Sequence, residues 1–562
     1  MDLKKIQPDW VCVLGGNVLC QPERTSAGYI CTGEGKNVYC FTDEGKILWS
    51  KSFSQKIKNF ISAGPEDFIT VISKNSNLNL LNQSGSVVWT ADCGFEVIQS
   101  PLWGWDGRIF VRGKEKISCF SLNGVCRWTV TVKNQNTSLP LKSLNDGSLI
   151  AFTETTKDGK STACRLTPFG EVMEQIVFAG KVHSVTESKE GLILTFSDGG
   201  FGLYAANSKG ESFSRWAVSA SSLGLTFPTV CACSSSSQQA VFFSGTPVKA
   251  FSVNLKNADI KSVYEIPVTS AEQISYAENT AQGLTVRTKE NAWCFSENGT
   301  VLWNVKMSPQ KKVPYVFSTD SGYFVLCTNN WVIEAYRVKQ GVKGAFSSSF
   351  KRCELKQYKS HYEKNTVTSS AILGPAITDK SYREIKESFT KGNFPGKEKL
   401  WLALLNAELE NMYFQWKETS WDFTAEKPFF KQNIVYNQTI LDLVSSSGLS
   451  FGTKYTASLM KEISDPELLL FAVQCAGKMK FDPEGDLLNA LDFVLKNKAS
   501  ASSTVLLEAI ANSTYEICSF MGKPSFIKKG QDMLTYMLYP QFSFKTQENA
   551  RLILSKIIEK GL

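Results

Sequence analysis

The chain has 562 residues and carries 61 Lys and Arg against 53 Asp and Glu, a formal net charge of +8. That length calls for two or three hydrophobic cores rather than one, and a small cationic surplus with no basic run argues against nucleic acid as a partner. Fifteen cysteines is an odd number, so at least one has no mate within the chain.

Most cysteines stand inside apolar pieces, as Cys31, Cys40, Cys119 and Cys294 do. This reads as buried free thiols rather than the disulfide framework of a small secreted domain. Cys231 and Cys233, in "CAC", have the wrong spacing for the usual two-residue-separated zinc or redox pair.

The opening "MDLKKIQPDWVCVLGG" holds no apolar stretch of leader length before strand-like sequence begins near Trp10, which leaves a trimmed or missed leader open. The longest apolar runs, such as "LLLFAV" at 468–473, fall far short of the roughly 20 residues of a membrane span. No transmembrane segment is expected, and peripheral membrane association is left open.

A unit then repeats. "FTDEGKILWSKSF" at 41–53 returns as "LNQSGSVVWTADC" at 81–93, "FSLNGVCRWTVTV" at 120–132 and "FSENGTVLWNVKM" at 295–307. Turn glycines fall at Gly45, Gly85, Gly124, Gly170, Gly210 and Gly299, with a degenerate turn near Lys256–Asn257 and a last one at Gly341. The gaps of about 40 to 46 residues match a four-stranded propeller blade, and eight units are counted. In the first, "GYICTG" and "NVYCF" read as strands, "TDEG" turns the chain and "KILWSKSF" returns antiparallel. Glycine in each turn supplies the positive φ of a tight hairpin.

Trp49, Trp89, Trp128 and Trp303 occupy one place on the returning strand, and with Gly45, Gly85, Gly124 and Gly299 they are the residues expected to dock blade on blade. One sheet alone cannot bury its faces, so a bulky ring per unit suits radial packing. Two copies break the pattern: Glu174 stands where a tryptophan is expected after Gly170, and Trp216 comes two positions late after Gly210. Those blades are expected to pack less regularly or to carry an altered surface. The early strand "WVCVLG", 10–15, is expected to complete the short last unit and close the ring.

Residues 10–345 resemble the PQQ-like bacterial propeller repeats, on the turn glycine followed by an apolar pair and tryptophan in "GKILW" and "GTVLW". The resemblance implies an eight-bladed propeller. Its family holds quinone-dependent dehydrogenases and non-enzymatic scaffolds, among them the propeller lipoprotein of the outer-membrane protein assembly machine. The dehydrogenases are known for two adjacent cysteines against the quinone and acidic residues around calcium. No two cysteines are adjacent here, and Asp43 and Glu44 read as solvated turn formers.

Other chemistry is sparse. His183 in "KVHSV" and His361 in a charged stretch have no companions nearby in sequence. "GGFG" at 199–202 does not follow a phosphate-binding pattern, and there is no nucleophile elbow.

Beyond a polar stretch, the period changes near Asp379. "DKSYREIKESFTKGN" reads as a short amphipathic helix ending at Gly392, and "KEKLWLALLNAELENMYF" as a longer one with its stripe on Leu400, Leu404 and Leu405. "SDPELLLFAVQCAGKM" and "FDPEGDLLNALDFVLKN" both open with Asp-Pro-Glu as first-turn chemistry and read as an antiparallel pair, the first with a Ser464–Glu467 capping box. "ASSTVLLEAIANSTYEICSFMG" and "TQENARLILSKIIEK" continue in kind, so that the region from about 435 resembles HEAT-type hairpin repeats, with an ordinary closed bundle as the alternative. The aromatic cluster 412–430, from Tyr413 through Trp416 and Trp421 to Phe430, is expected to dock the helices on the propeller.

The expected architecture is multidomain β plus α: a PQQ-like eight-bladed propeller over 1–345, a linker or strap over 346–378 and an α-helical, HEAT-like domain over 379–562. The expected function is a non-enzymatic scaffold for other proteins, part of a bacterial cell-envelope assembly. The alternative is a quinone- or sugar-binding propeller with its ligand in the central funnel. Neither cofactor nor metal is expected. The resemblance favours periplasm or cell envelope, whereas the unpaired thiols and absent leader favour cytoplasm.

Overall fold

The computed structural model describes residues 7–104, 107–144, 146–188, 190–206, 212–225, 230–233, 239–280, 283–296, 299–306, 315–319, 321–328, 330–337, 379–391, 405, 434–447, 452–463 and 465–559. Eight four-stranded antiparallel sheets follow one another along the chain as blades. Blades 1 to 3 run from Glu23 to Ser52, Ile57 to Asp92 and Leu102 to Thr131, and blade 4 from Lys142 to Val177. Blades 5 to 7 run from Val182 to Val218, Val230 to Glu265 and Tyr276 to Lys306.

Blade 8 takes three strands from Tyr315 to Arg337 and its fourth from the other end of the propeller. Trp10–Val13 pairs antiparallel with Val332–Arg337, opposing Trp10 to Ala335. This strand closes the ring, so no sheet edge is left open at the seam.

Burial explains the sequence pattern within a blade. Tyr29–Thr32 is buried along its whole length and Asn37–Phe41 nearly so, because both faces of the middle strands are covered by neighbouring blades. The outer strand Ile47–Ser52 alternates between exposed and half-buried. Each outer strand from blade 1 to blade 7 enters through a β-bulge at one shared place, between Cys40 and Phe41 in the first and between Cys294 and Phe295 in the seventh. A bulge re-aims the next side chain, and the residue opposite Cys40 is Trp49.

Eight helices lie among the described residues of the C-terminal part: α1 (Asp379–Lys391), α2 (Ile434–Ser446), α3 (Thr453–Glu462), α4 (Pro466–Met479), α5 (Asp486–Asn497), α6 (Thr504–Met521), α7 (Pro524–Tyr536) and α8 (Phe544–Glu559). α2, α4, α6 and α8 pack in turn as one row, α3 packs on α5, and α7 lies chiefly against its chain neighbours α6 and α8. Gly477 on α4 permits the close approach to α6, since a Cβ there would meet Ser513 Oγ at 2.6 Å.

Three readings of these helices need correction. The cap of α4 is Asp465, whose carboxylate accepts from the N–H groups of Glu467 and Leu468; Ser464 lies outside the described residues. α5 begins only at Asp486, behind left-handed Gly485, and Asp482 caps it from a distance by accepting from Leu487 and Leu488. α4 and α5 are not a self-contained hairpin, because each buries its stripe on helices farther along or back. Also, α7 had no counterpart among the sequence readings. Of the stripe Leu400, Leu404 and Leu405 only Leu405 is described, and it is fully buried. The aromatic cluster 412–430, His361, Gly210, Gly341, Gly392 and the strap 346–378 lie outside the described residues.

No helix among the described residues is long and apolar enough to cross a membrane.

Candidate interaction site

Trp49, Trp89 and Trp128 each lie on the turn of the following blade, not on their own. The Trp49 indole N–H donates to the carbonyl of Gln83 at 2.9 Å, and that of Trp89 to Leu122 at 2.6 Å. Trp128 donates to Pro168 at 3.1 Å. The rings cover the glycines of those turns: a Cβ on Gly85 would lie 2.6 Å from Trp49, one on Gly124 2.8 Å from Trp89, and one on Gly170 2.6 Å from Trp128. Gly45 sits under Trp10 of the closing strand and Gly299 under Tyr264 of blade 6. Trp303 holds the same register, opposite Cys294, but its side chain lies outside the described residues.

The blades read as irregular resolve differently. Trp216 is not displaced: it stands opposite Leu203, immediately before the bulge, and donates to the carbonyl of Leu255 at 2.8 Å. The two extra residues lengthen the outer strand ahead of the bulge, where Ser212 and Phe213 pair with Ala206 and Ala205. In blade 4 Glu174 does occupy the tryptophan register, opposite Arg165. There the guanidinium of Arg165, only 1% exposed, pairs with Glu174 at 2.7 Å and Asp146 at 2.5 Å, and its Nε donates to Ser148 at 2.8 Å. In the degenerate turn of blade 6 Ala258 adopts the left-handed conformation, with φ of 63°.

The helical domain meets blade 2 chiefly at the turn Gly64–Phe68. Phe68 is wholly buried, its ring 5.2 Å from Phe520 at the end of α6 and 6.0 Å from Phe481 after α4. Beside it Glu66 pairs with Lys523, and the Asn82 side chain donates to the carbonyl of Ser519 at 2.9 Å. Glu66 and Asp67 are both left-handed, with φ of 56° and 59°. Non-glycine residues hold that conformation only where surroundings impose it. Asp67 is tied to blade 1, accepting from the Ser26 N–H at 2.8 Å, while Glu66 is tied to the helices. The core around Phe68 runs without a break from the interface of blades 2 and 3 into the helices.

Two kinds of concave surface are present among the described residues. On the helices, clefts of about 460 Å³ between α4 and α6 and about 270 Å³ between α6 and α8 share Glu508 and expose Val505 and Leu552. In the propeller, a cavity of about 240 Å³ lies where the inner strands of blades 1 to 5 end, with Glu23, Lys142, Glu187 and Trp103 in its wall. Across the channel, enclosure raises the pKa of the Glu278 carboxyl, which accepts from the hydroxyl of Tyr276.

The cysteines whose side chains are described are free thiols. Burial pushes Cys12 and Cys294 up to about 11 and Cys40 and Cys93 up to about 12, the opposite of an activated nucleophile. Among the described residues no group of three or more His, Cys, Asp or Glu side chains could hold a metal ion. His183 lies exposed on the inner strand of blade 5.

A family model described as outer membrane protein assembly factor BamB matches residues 34–295, just under half of the chain. The propeller is PQQ-like and resembles that family. A comparison with curated protein sequences gives no match. Among solved structures, BamB from Moraxella catarrhalis aligns over 59% of this chain and 99% of its own at 11% identity, with a TM-score of 0.44. Sqt1 from Saccharomyces cerevisiae covers 59% and 99% at 9% identity, TM-score 0.43. A streptogramin B lyase covers 49% and 92% at 12% identity, TM-score 0.34. The PQQ-like match leaves the helical domain uncovered.

Proposed function

We propose that the chain is a non-enzymatic scaffold that binds other proteins, and that it serves a bacterial cell-envelope assembly. The observation that carries this reading is the junction at Phe68. It fuses a propeller and a row of helices, two folds that present extended surfaces to partners, into one continuous core. A lever fixed in this way can hold two partners at a set separation. The envelope assignment is supported by the family whose model matches the propeller. Deeply buried thiols with raised pKa are poor nucleophiles, which fits a binding role.

The test is capture of the full chain from its own cells after cross-linking, with the cross-linked peptides mapped. Partners attached through both the helical clefts and the propeller support the scaffold. Failure to retain any protein above an unrelated propeller control sinks it. The cavity in the funnel keeps one second reading alive, a quinone or sugar ligand. Titration with pyrroloquinoline quinone and calcium decides that one, since saturable binding with redox turnover would replace the scaffold by an enzyme.

A further inference from the structure

We propose that the cavity at the end of the inner strands receives a basic side chain, arginine or lysine, from a protein partner. This rests on the scaffold reading and adds the chemistry of the contact. Two carboxylates reach the cavity from different blades, Glu23 from blade 1 and Glu187 from blade 5, against one cation, Lys142 of blade 4. Glu23 is held in place by the N–H of Ala63, which it accepts at 2.9 Å. Glu187 is less well served. Its Oε1 lies 3.6 Å from the Lys142 ammonium, an ion pair without a hydrogen bond, and has no hydrogen-bond donor among the described residues, while the side chain keeps 15% of its surface exposed. A carboxylate oxygen so placed wants an N–H, and a charged one most of all.

The remaining wall is mostly apolar and rigid. Pro101, Leu102, Trp103, Pro140 and Leu141 line it, and Trp103 is fixed by its N–H to the Ser62 carbonyl at 3.4 Å and by Gly64 packed against its ring. Such a wall suits the methylene stem of a long cationic side chain and strengthens the charge contact at its tip. Size suits a single side chain: about 240 Å³ lies just under the range of roughly 300 to 1,000 Å³ of cofactor and drug-sized sites. Place decides for a protein donor. The strand that ends in the cavity wall at Ala63 continues into the turn gripped by the helical domain, which ties the cavity to the helices through the backbone.

The experiment titrates the full chain with the blocked tripeptide acetyl-Gly-Arg-Gly-amide and with its neutral citrulline counterpart, by calorimetry at low salt. The arginine peptide should bind saturably and at least tenfold more tightly than the citrulline peptide. Glu187→Gln should weaken the arginine peptide at least tenfold, and Lys142→Gln, which removes the competing cation, should strengthen it; thermal melts of both variants check the fold. Equal affinities for the two peptides, or weakening by Lys142→Gln in a folded variant, overturn the proposal. Cross-linked partners that persist unchanged with Glu187→Gln would sink this site while leaving the scaffold intact, whereas loss of all partners from the unaltered chain would sink the scaffold itself.

Discussion

The Trp49 indole of blade 1 lies directly over Gly85 of blade 2, near enough that a Cβ on the glycine would stand 2.6 Å from two ring carbons. The glycine thus does two things at once. With φ of 79° it makes the hairpin turn, and with no side chain it makes the floor for the neighbour's ring.

The two tasks can be separated. Gly159 has nearly the same φ, 77°, but a Cβ at that position would meet nothing within 4 Å. Gly159→Ala should therefore cost only the left-handed penalty, roughly 1 kcal/mol. Gly85→Ala should cost that plus overpacking, roughly 1–3 kcal/mol more. Urea unfolding of both variants measures the difference, and equal midpoints would remove the docking role from Trp49.

Trp216 gives a second check, because its place was decided by register and not by distance from a glycine. Trp216→Ala should destabilise the chain about as much as Trp49→Ala, on the order of 3 kcal/mol for a partly buried ring. An effect below about 1 kcal/mol for Trp216→Ala alone would mean that blade 5 packs on blade 6 by other means, for example the Phe201–Phe242 stack at 4.0 Å.

Phe68→Ala should loosen the helices from the propeller. Removing a wholly buried ring costs roughly 3–5 kcal/mol, and here the loss falls on the junction. Calorimetry should then resolve two thermal transitions, and limited proteolysis should release a helical fragment. A single transition that merely shifts downward would show that other contacts suffice to hold the two parts together.

Asp482 supplies a pH dependence with a definite sign. Burial pushes its carboxyl from 3.8 up to about 6, although the N–H groups of Leu488 and Leu487 pull the other way. The folded chain therefore keeps a proton there that the unfolded chain has already lost. Its contribution is full below about pH 4, declines as pH rises through 6 and is flat above, by up to about 3 kcal/mol. Asp482→Asn keeps an acceptor for α5 and removes the titration. The stability of the unaltered chain relative to this variant should fall between about pH 4 and 6; a difference that stays constant would refute the assignment.

Much of the propeller was legible because each blade repeats its own physics. A strand covered on both faces reads as continuous apolar residues, as "YICT" and "NVYCF" do, and a left-handed turn asks for glycine, as at Gly45 and Gly85. Trp216 misled because spacing from Gly210 was counted along the chain, whereas its position is set by the bulge opposite Leu203. The turn near Lys256–Asn257 reads as degenerate because its left-handed place is held by Ala258, a residue type that carries no signature of that φ. The helix starts misled for a related reason: Asp482 caps α5 from four residues ahead of its first turn, a reach that local motifs do not encode.

Periodicity along the chain was enough to determine eight similar sheets and a helical tail, since strand and helix faces are written at fixed intervals in the sequence. What only the tertiary structure decided are contacts between residues far apart: Trp10 with Gly45 across the closure, Phe68 with Phe520, Glu23 with Glu187 around one cavity. These depend on how rigid bodies meet. A side chain's own neighbours in sequence carry no record of the surface that will be laid against it.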